Sequence, residues 1–317
     1  MLGHLGTVCV NRIGMSTIST FELFQMFPDA EAARVYMEGK RWPDGAVCPA
    51  CDEAKRITAR KDGFYRCNAC KTDFTVRTAT IFERSHIPLH KWLYAMYLLV
   101  TARKGISSLQ LAKQIGVTQK SAWFMLQRLR EACGNDPTVL RGFVEIDEMY
   151  VGGKEANKHK GKKLNAGRGA VGKTAVLGMR ERGGRTKAGV IANTSANTLH
   201  RAVHGHVEAG STLHTDEHGG YLGLDGLFYA HESINHGAGE YVRDGVHTNS
   251  IESVWAVMKR GIHGVYHHAS PKHLDRYVSE FTFRLNDGDV ARHTLDRIAS
   301  LLFAANGKRL TYKALIA

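Results

Sequence analysis

The chain has 317 residues, enough for two or three domains, with 43% hydrophobic and 23% charged residues, a globular composition rather than a fibrous or disordered one. Its formal net charge of +13 favours a polyanionic partner, nucleic acid ahead of an anionic membrane, because cationic side chains release counterions from phosphates. No apolar run reaches the ~18 residues of a membrane span.

Along the chain, Met1 to Met15 has no apolar block before a small-residue cleavage site, so a cytoplasmic protein is expected, with Met15 an alternative start. Residues 16–44 form a short helical lead, with an acidic first turn at Asp29 and a closing turn at Arg41-Trp-Pro-Asp-Gly. Residues 45–85 are cysteine-rich and strand-like, with Phe64-Tyr-Arg and Asp73-Phe-Thr-Val as strands. Cys48-Pro-Ala-Cys51 and Cys67-Asn-Ala-Cys70 stand 15 residues apart, the spacing with which two tight turns offer four thiolates to one structural zinc ion. The alternatives are two disulfides or a redox pair, and the reducing compartment weighs against them. Cys9 and Cys133 have no partner at ligand spacing.

Residues 86–133 are helical, and Leu89 to Ala102, which carries His90 and Lys91, reads as a buried helix. Ser108 to Ile115 and Gln119 to Glu131, joined by Gly116-Val-Thr with Thr118 as cap, match a helix-turn-helix; an ordinary helical hairpin is the alternative. On its second helix Gln119, Lys120, Gln127, Arg128 and Arg130 are expected to face outward, toward phosphates or base edges.

Residues 141–310 alternate strands and helices. Phe143 to Val151 reads as a first strand, Ala175 to Glu181 and Lys187 to Ala192 as a hairpin around Arg182-Gly-Gly-Arg, Thr198 to Val207 as a helix and Ser211 to Thr215 as a fourth strand. Ser250 to Arg260 is a strong helix with Ile251, Val254, Trp255 and Met258 on one face. A mixed α/β sheet follows.

Three acids stand out in this block. Strand alternation puts Glu145 and Asp147 on one face and Val144, Ile146 and Glu148 on the other. An acid in an apolar strand costs free energy that a cation would offset. Asp216 ends a second apolar strand, and Glu252 begins the helix on the face it shares with Lys259. Carboxylates from two strands and a helix can converge on Mg²⁺ or Mn²⁺, and two such ions suit in-line phosphoryl displacement. After the first strand, Lys154, Lys158, Lys160, Lys162, Lys163, Arg168 and Lys173 stand among glycines against one acid, Glu155, a basic loop suited to tracking phosphates or a solvated charge run. His214, His218, His236, His267 and His268 are candidates for proton transfer or for structural roles; Trp255 and Tyr266 are most simply core aromatics.

At Thr248-Asn-Ser-Ile-Glu-Ser-Val-Trp-Ala-Val-Met-Lys-Arg, followed by Gly264-Val-Tyr-His-His and Arg284-Leu-Asn, the chain resembles bacterial insertion-sequence DDE transposases of the zinc-ribbon-bearing ISXO-like kind, relatives of the Merlin DNA transposons. Val144-Glu-Ile-Asp-Glu-Met-Tyr-Val-Gly-Gly-Lys resembles their first acidic block, His214-Thr-Asp-Glu-His-Gly-Gly-Tyr their second, and Arg41-Trp-Pro-Asp-Gly with Cys48-Pro-Ala-Cys51 their zinc block. The resemblance implies a multidomain chain: helical lead and zinc ribbon over 16–85, helix-turn-helix region over 86–135, and a ribonuclease-H-like α/β catalytic domain with a mixed sheet over 140–305. It implies Asp147, Asp216 and Glu252 as ligands of two Mg²⁺ (or Mn²⁺) ions, with Asn249 the alternative third ligand, and Lys259 as a residue touching substrate DNA. Gln119, Lys120, Arg128, Lys158, Lys160, Lys162, Lys163, Lys259 and Arg260 are the candidate DNA contacts. The expected activity is cleavage at transposon inverted repeats and transfer of the 3′-hydroxyl ends to target DNA, by a homodimer or larger assembly on double-stranded DNA in a bacterial nucleoid. A DNA-binding regulator without catalysis, or a nuclease without strand transfer, are the other readings.

Overall fold

The computed structural model describes residues 17–317 apart from Asn135, Lys154, 165–169, 227–228 and Tyr241. Cys9, Met15, Lys154 and Arg168 therefore lie outside the described residues, as do the side chains of Lys162 and His236.

The lead forms two short helices. Helix α1 (Thr20–Met26) opens on a reciprocal cap between Ser19 and Glu22, and α2 (Ala30–Arg41) on the Asp29 carboxylate, which accepts the Glu31 and Ala32 amides. Strands β1 (Ile57–Ala59), β2 (Tyr65–Cys67) and β3 (Asp73–Phe74) pair antiparallel as the ribbon. Helices α3 (Leu89–Thr101), α4 (Ser108–Ile115) and α5 (Gln119–Cys133) follow. Gly116 closes α4 in the left-handed region (φ 63), and the Thr118 hydroxyl accepts the Ser121 amide to open α5.

The second half carries β4 (Phe143–Val151), β5 (Thr174–Glu181), β6 (Thr186–Ile191), α6 (Ala196–His206), β7 (Thr212–Thr215), β8 (Ala230–Ser233), α7 (Asn249–Gly261), α8 (Pro271–Leu285), α9 (Thr294–Ala304) and α10 (Tyr312–Ile316). The sheet order is β6-β5-β4-β7-β8: β4, β5 and β6 pair antiparallel, while β7 and β8 run parallel to β4. Hydrophobic alternation gives each face its own layer. Val144, Ile146, Leu177 and Met179 pack on Leu199 and Val203 of α6. Met149 and Val176 pack on Ile251, Val254, Trp255 and Met258 of α7, with Leu274, Val278 and Phe281 of α8 beyond.

A third core joins the ribbon to α2, α3, α4 and α5 and takes in Ile298, Leu301 and Leu302 of α9. The chain thus returns from the sheet to complete its N-terminal body. The mixed sheet and central helix run as their apolar periodicities imply, whereas β1 and β8 carry no such signal. β8 reads Ala-His-Glu-Ser and is mostly exposed at the sheet edge.

Candidate active site and metal centres

Two clusters of metal-ligating side chains appear among the described residues. The first is the ribbon's. Cys48 Sγ lies 3.6 Å from Cys70 Sγ and Cys51 Sγ 3.7 Å from Cys67 Sγ, and all four sulfurs fall within 4.8 Å of one another. Sulfurs bonded to one tetrahedral zinc at ~2.3 Å sit ~3.8 Å apart, whereas a disulfide needs ~2.05 Å. The spacing fits zinc, and the four cysteines are not bonded to one another. Each CxxC turn reverses at the residue after its second cysteine, Asp52 (φ 56) and Lys71 (φ 61), so the two knuckles match in shape. Cys48 and Cys67 are buried, and Cys51 and Cys70 face outward.

The second cluster is acidic. Asp147 in β4, its neighbour Glu148 and Asp216 just past β7 bring carboxylate oxygens within 4.8 Å of one another. β7 pairs with β4 only over Phe143 to Glu145, so the loop starting at Asp216 lies where β4 has outrun its partner. There Asp216 folds into a tight turn, its Oδ1 accepting the His218 amide at 3.0 Å. Burial pushes the Asp147 carboxyl up to about 6, and the nearby Asp216 and Glu148 charges add to it, against hydrogen bonds from the Glu148 amide and the Trp255 indole. Glu148 is also raised, first by burial and then by Asp216. Converging hard oxygens that resist ionisation together suit a small divalent cation.

Glu252 is not in this trio. It lies on the exposed side of α7 with Lys259 and Arg260, and its Oε1 accepts the Thr248 hydroxyl at 2.9 Å. Asn249, the first residue of α7, is exposed as well.

Glu145 fixes the position of α7. Its fully buried carboxylate accepts the backbone amides of Ser250 and Ile251 at 2.7 and 3.1 Å and the Ser250 hydroxyl at 3.0 Å. Arg182 binds it at 3.0 Å and His247 Nδ1 lies 3.1 Å away. An acid from the strand thus caps the helix, where free amides and the helix dipole favour negative charge. One turn on, Trp255 Nε1 donates to Asp147 Oδ2 at 2.9 Å. Gly178 stands opposite Asp147 in the sheet, and a Cβ there would come 2.4 Å from the Trp255 ring. Glycine is what lets the indole approach β5 this closely. Trp255 is therefore a core aromatic, as the sequence suggests, that also orients a candidate ligand. The spacing of Trp255 from Asp147, across 108 residues, hides that second role from sequence reading.

The face of α5 is corrected. Gln119 and Lys120 are exposed at its first turn, but Gln127, Arg128 and Arg130 are buried. Arg128 donates to the carbonyls of Leu310 and Glu83, both at 3.1 Å. Arg130 pairs with the buried Glu280 of α8 at 2.6 Å, and Arg284 pairs with the same carboxylate. The reason is coverage on several sides: α3, α4, α8 and α9 all pack on α5, so its charged stripe meets protein rather than solvent.

In the basic loop, Lys160 is exposed and Lys163 half-buried, while Lys158 pairs with Glu155 at 2.6 Å. Among the histidines, His214 is buried with Nδ1 3.0 Å from Arg182, His218 faces the acidic cluster, and His267 and His268 are exposed. Tyr266 donates to Glu280 at 2.7 Å within the buried network.

Comparison with known proteins places these features. Residues 139–286 match the ISXO2-like transposase domain, and residues 28–73 match the transposase zinc-ribbon domain. The chain is similar to a protein in transposable element ISH50 of Halobacterium salinarum, 30% identical over 257 residues that cover 77% of this chain and 86% of that protein.

Proposed function

Because the chain belongs to the ISXO2-like transposase family, we propose that it binds the inverted repeats of its own element, cuts the ends by hydrolysis and joins the freed 3′-hydroxyls to target DNA. The single observation that carries this reading is the meeting of Asp147 on β4 with Asp216 in the loop after the parallel strand β7. The strand order and the helices on both faces support a ribonuclease-H-like catalytic core.

Asp147, Asp216 and Glu252 would hold Mg²⁺ or Mn²⁺, with Asn249 the alternative third ligand. Two such ions, when bound, would activate the attacking oxygen and stabilise the leaving one. The protein's own contribution is position. The Trp255 indole and the Glu148 amide hold Asp147 in one rotamer, and the Glu145 cap fixes the helix that carries Glu252 and Lys259. Glu252, Lys259 and Arg260 share exposed ground on α7, so a phosphodiester laid over the acids would meet the cations. Lys158, Lys160, Lys162 and Lys163 follow the catalytic strand and would track the backbone.

The helix-turn-helix reading narrows to the start of α5. Gln119 and Lys120 are the exposed candidates there, as the N-terminal residues of a recognition helix are those that reach base edges. The zinc ribbon would support that module on DNA. Two ends joined to one target imply a dimer or larger assembly on DNA, in the nucleoid of the cytoplasm.

The test is purified protein with Mg²⁺ and DNA carrying one transposon end. The expected result is a nick at the end, then a joined product with target DNA. A shift without cutting would mean a regulator, and cutting without joining a simple nuclease.

A further inference from the structure

The site's third carboxylate in space is Glu148, which alternation along β4 places on the face opposite Asp147. Only 6% of its side chain is exposed. Its Oε1 is buried and has no hydrogen-bond partner among the described residues. Its nearest basic atom, His218 Nδ1, lies 3.7 Å away, beyond hydrogen-bond reach, and accepts the Gly220 amide at 3.1 Å. The buried Tyr221 hydroxyl lies beside the same carboxylate and can donate to it, but one neutral donor leaves the repulsion among the three acids in place. A buried carboxylate oxygen without a donor is costly, and two further carboxylates beside it add repulsion. A bound cation relieves both at once.

We infer that Glu148 is a direct ligand of the divalent cation, completing with Asp147 and Asp216 a site built on the end of β4 and the loop after β7. This rests on the metal-dependent reading above and deepens it. The trio of Asp147, Glu148 and Asp216 is in place before DNA arrives, whereas Glu252 stands outside it on α7. Alternation does not forbid the arrangement. β4 runs past the end of β7, and residues 147 and 148, though they leave opposite faces, both bring a carboxylate oxygen within 4.8 Å of Asp216.

The test is Mn²⁺ binding to the full-length protein without DNA, by electron paramagnetic resonance titration and by Mn²⁺-induced thermal shift. Glu148→Gln is expected to weaken binding about tenfold or more, the scale on which losing a ligand or its support acts. Glu208→Gln, at an exposed acid outside the cluster, is expected to leave DNA-free binding within about threefold. The melting temperature of metal-free Glu148→Gln should equal or exceed that of wild type, because a buried uncompensated charge has been removed. Its Mn²⁺-induced shift should shrink. Glu148→Asp, which keeps the charge and shortens the reach, should bind with intermediate affinity. Wild-type affinity in Glu148→Gln would overturn the inference alone. So would a fall in metal-free stability with a normal Mn²⁺ shift, the mark of a merely structural acid. A wild-type protein that binds no Mn²⁺ would overturn the metal-dependent reading of the site along with it.

Discussion

The two clusters of metal-ligating side chains in this protein are built in opposite ways. The ribbon takes four soft ligands from two matched turns close in sequence, and the backbone of each turn already shapes half a tetrahedron. The acidic centre draws Asp147 and Asp216 from separate strands, and the residues that orient it, Glu145, Gly178 and Trp255, come from three elements. In the first, local spacing nearly determines geometry. In the second, geometry is a property of the whole sheet, so distant residues should control it.

Changes at the ribbon should be the largest and the most local. A structural zinc contributes ~10–16 kcal/mol of apparent binding energy to small modules. Cys48→Ser should therefore lose stoichiometric zinc and weaken binding to transposon ends, as read by metal analysis and mobility shift. Retention of both would show that the ribbon folds without its metal. At the acidic centre, Glu145→Gln removes the buried charge that holds Arg182 and the start of α7. Breaking one partner of a buried pair costs ~3–5 kcal/mol. The expected outcome is a clear drop in melting temperature and in cleavage with zinc content unchanged, so the damage should not cross to the ribbon.

Smaller effects probe the same contrast more finely. Gly178→Val drives a side chain into the Trp255 ring and should cost ~1–3 kcal/mol by overpacking while displacing the indole from Asp147. Fluorescence of Trp255, read against a Trp255→Phe background, should report the displacement. Trp255→Phe itself keeps the apolar bulk and deletes one donor, a loss of ~1 kcal/mol in stability. If cleavage by that variant matched wild type in rate, the indole would be packing only.

Legibility in the sequence follows the same division. The CxxC pairs could be read because their ligands are local, and β4, the β5–β6 hairpin and α7 because their apolar period matches their geometry. β8 was invisible because an edge strand of polar residues has no pattern. Arg128 and Arg130 read as solvent-facing charges in the sequence because the elements that bury them, around Glu83, Glu280 and Leu310, are remote along the chain. Alternation assigns Glu148 to the face opposite Asp147, so the strand pattern does not foretell its approach to Asp216 where β4 runs past the end of β7. The residues that orient the site carry the weakest signal in the sequence. Glu145 looked like a second acid beside Asp147, and nothing in its neighbours says that it caps a helix 105 residues later.

The most direct test of the acidic centre is cleavage of end-containing DNA by Asp147→Asn and Asp216→Asn in Mg²⁺ and in Mn²⁺, with DNA binding measured in parallel. Loss of a ligand that positions several kcal/mol of charge stabilisation should slow cutting by ~10³-fold or more while end-binding persists. Cutting at the wild-type rate by either variant would contradict the assignment of these carboxylates to phosphodiester chemistry.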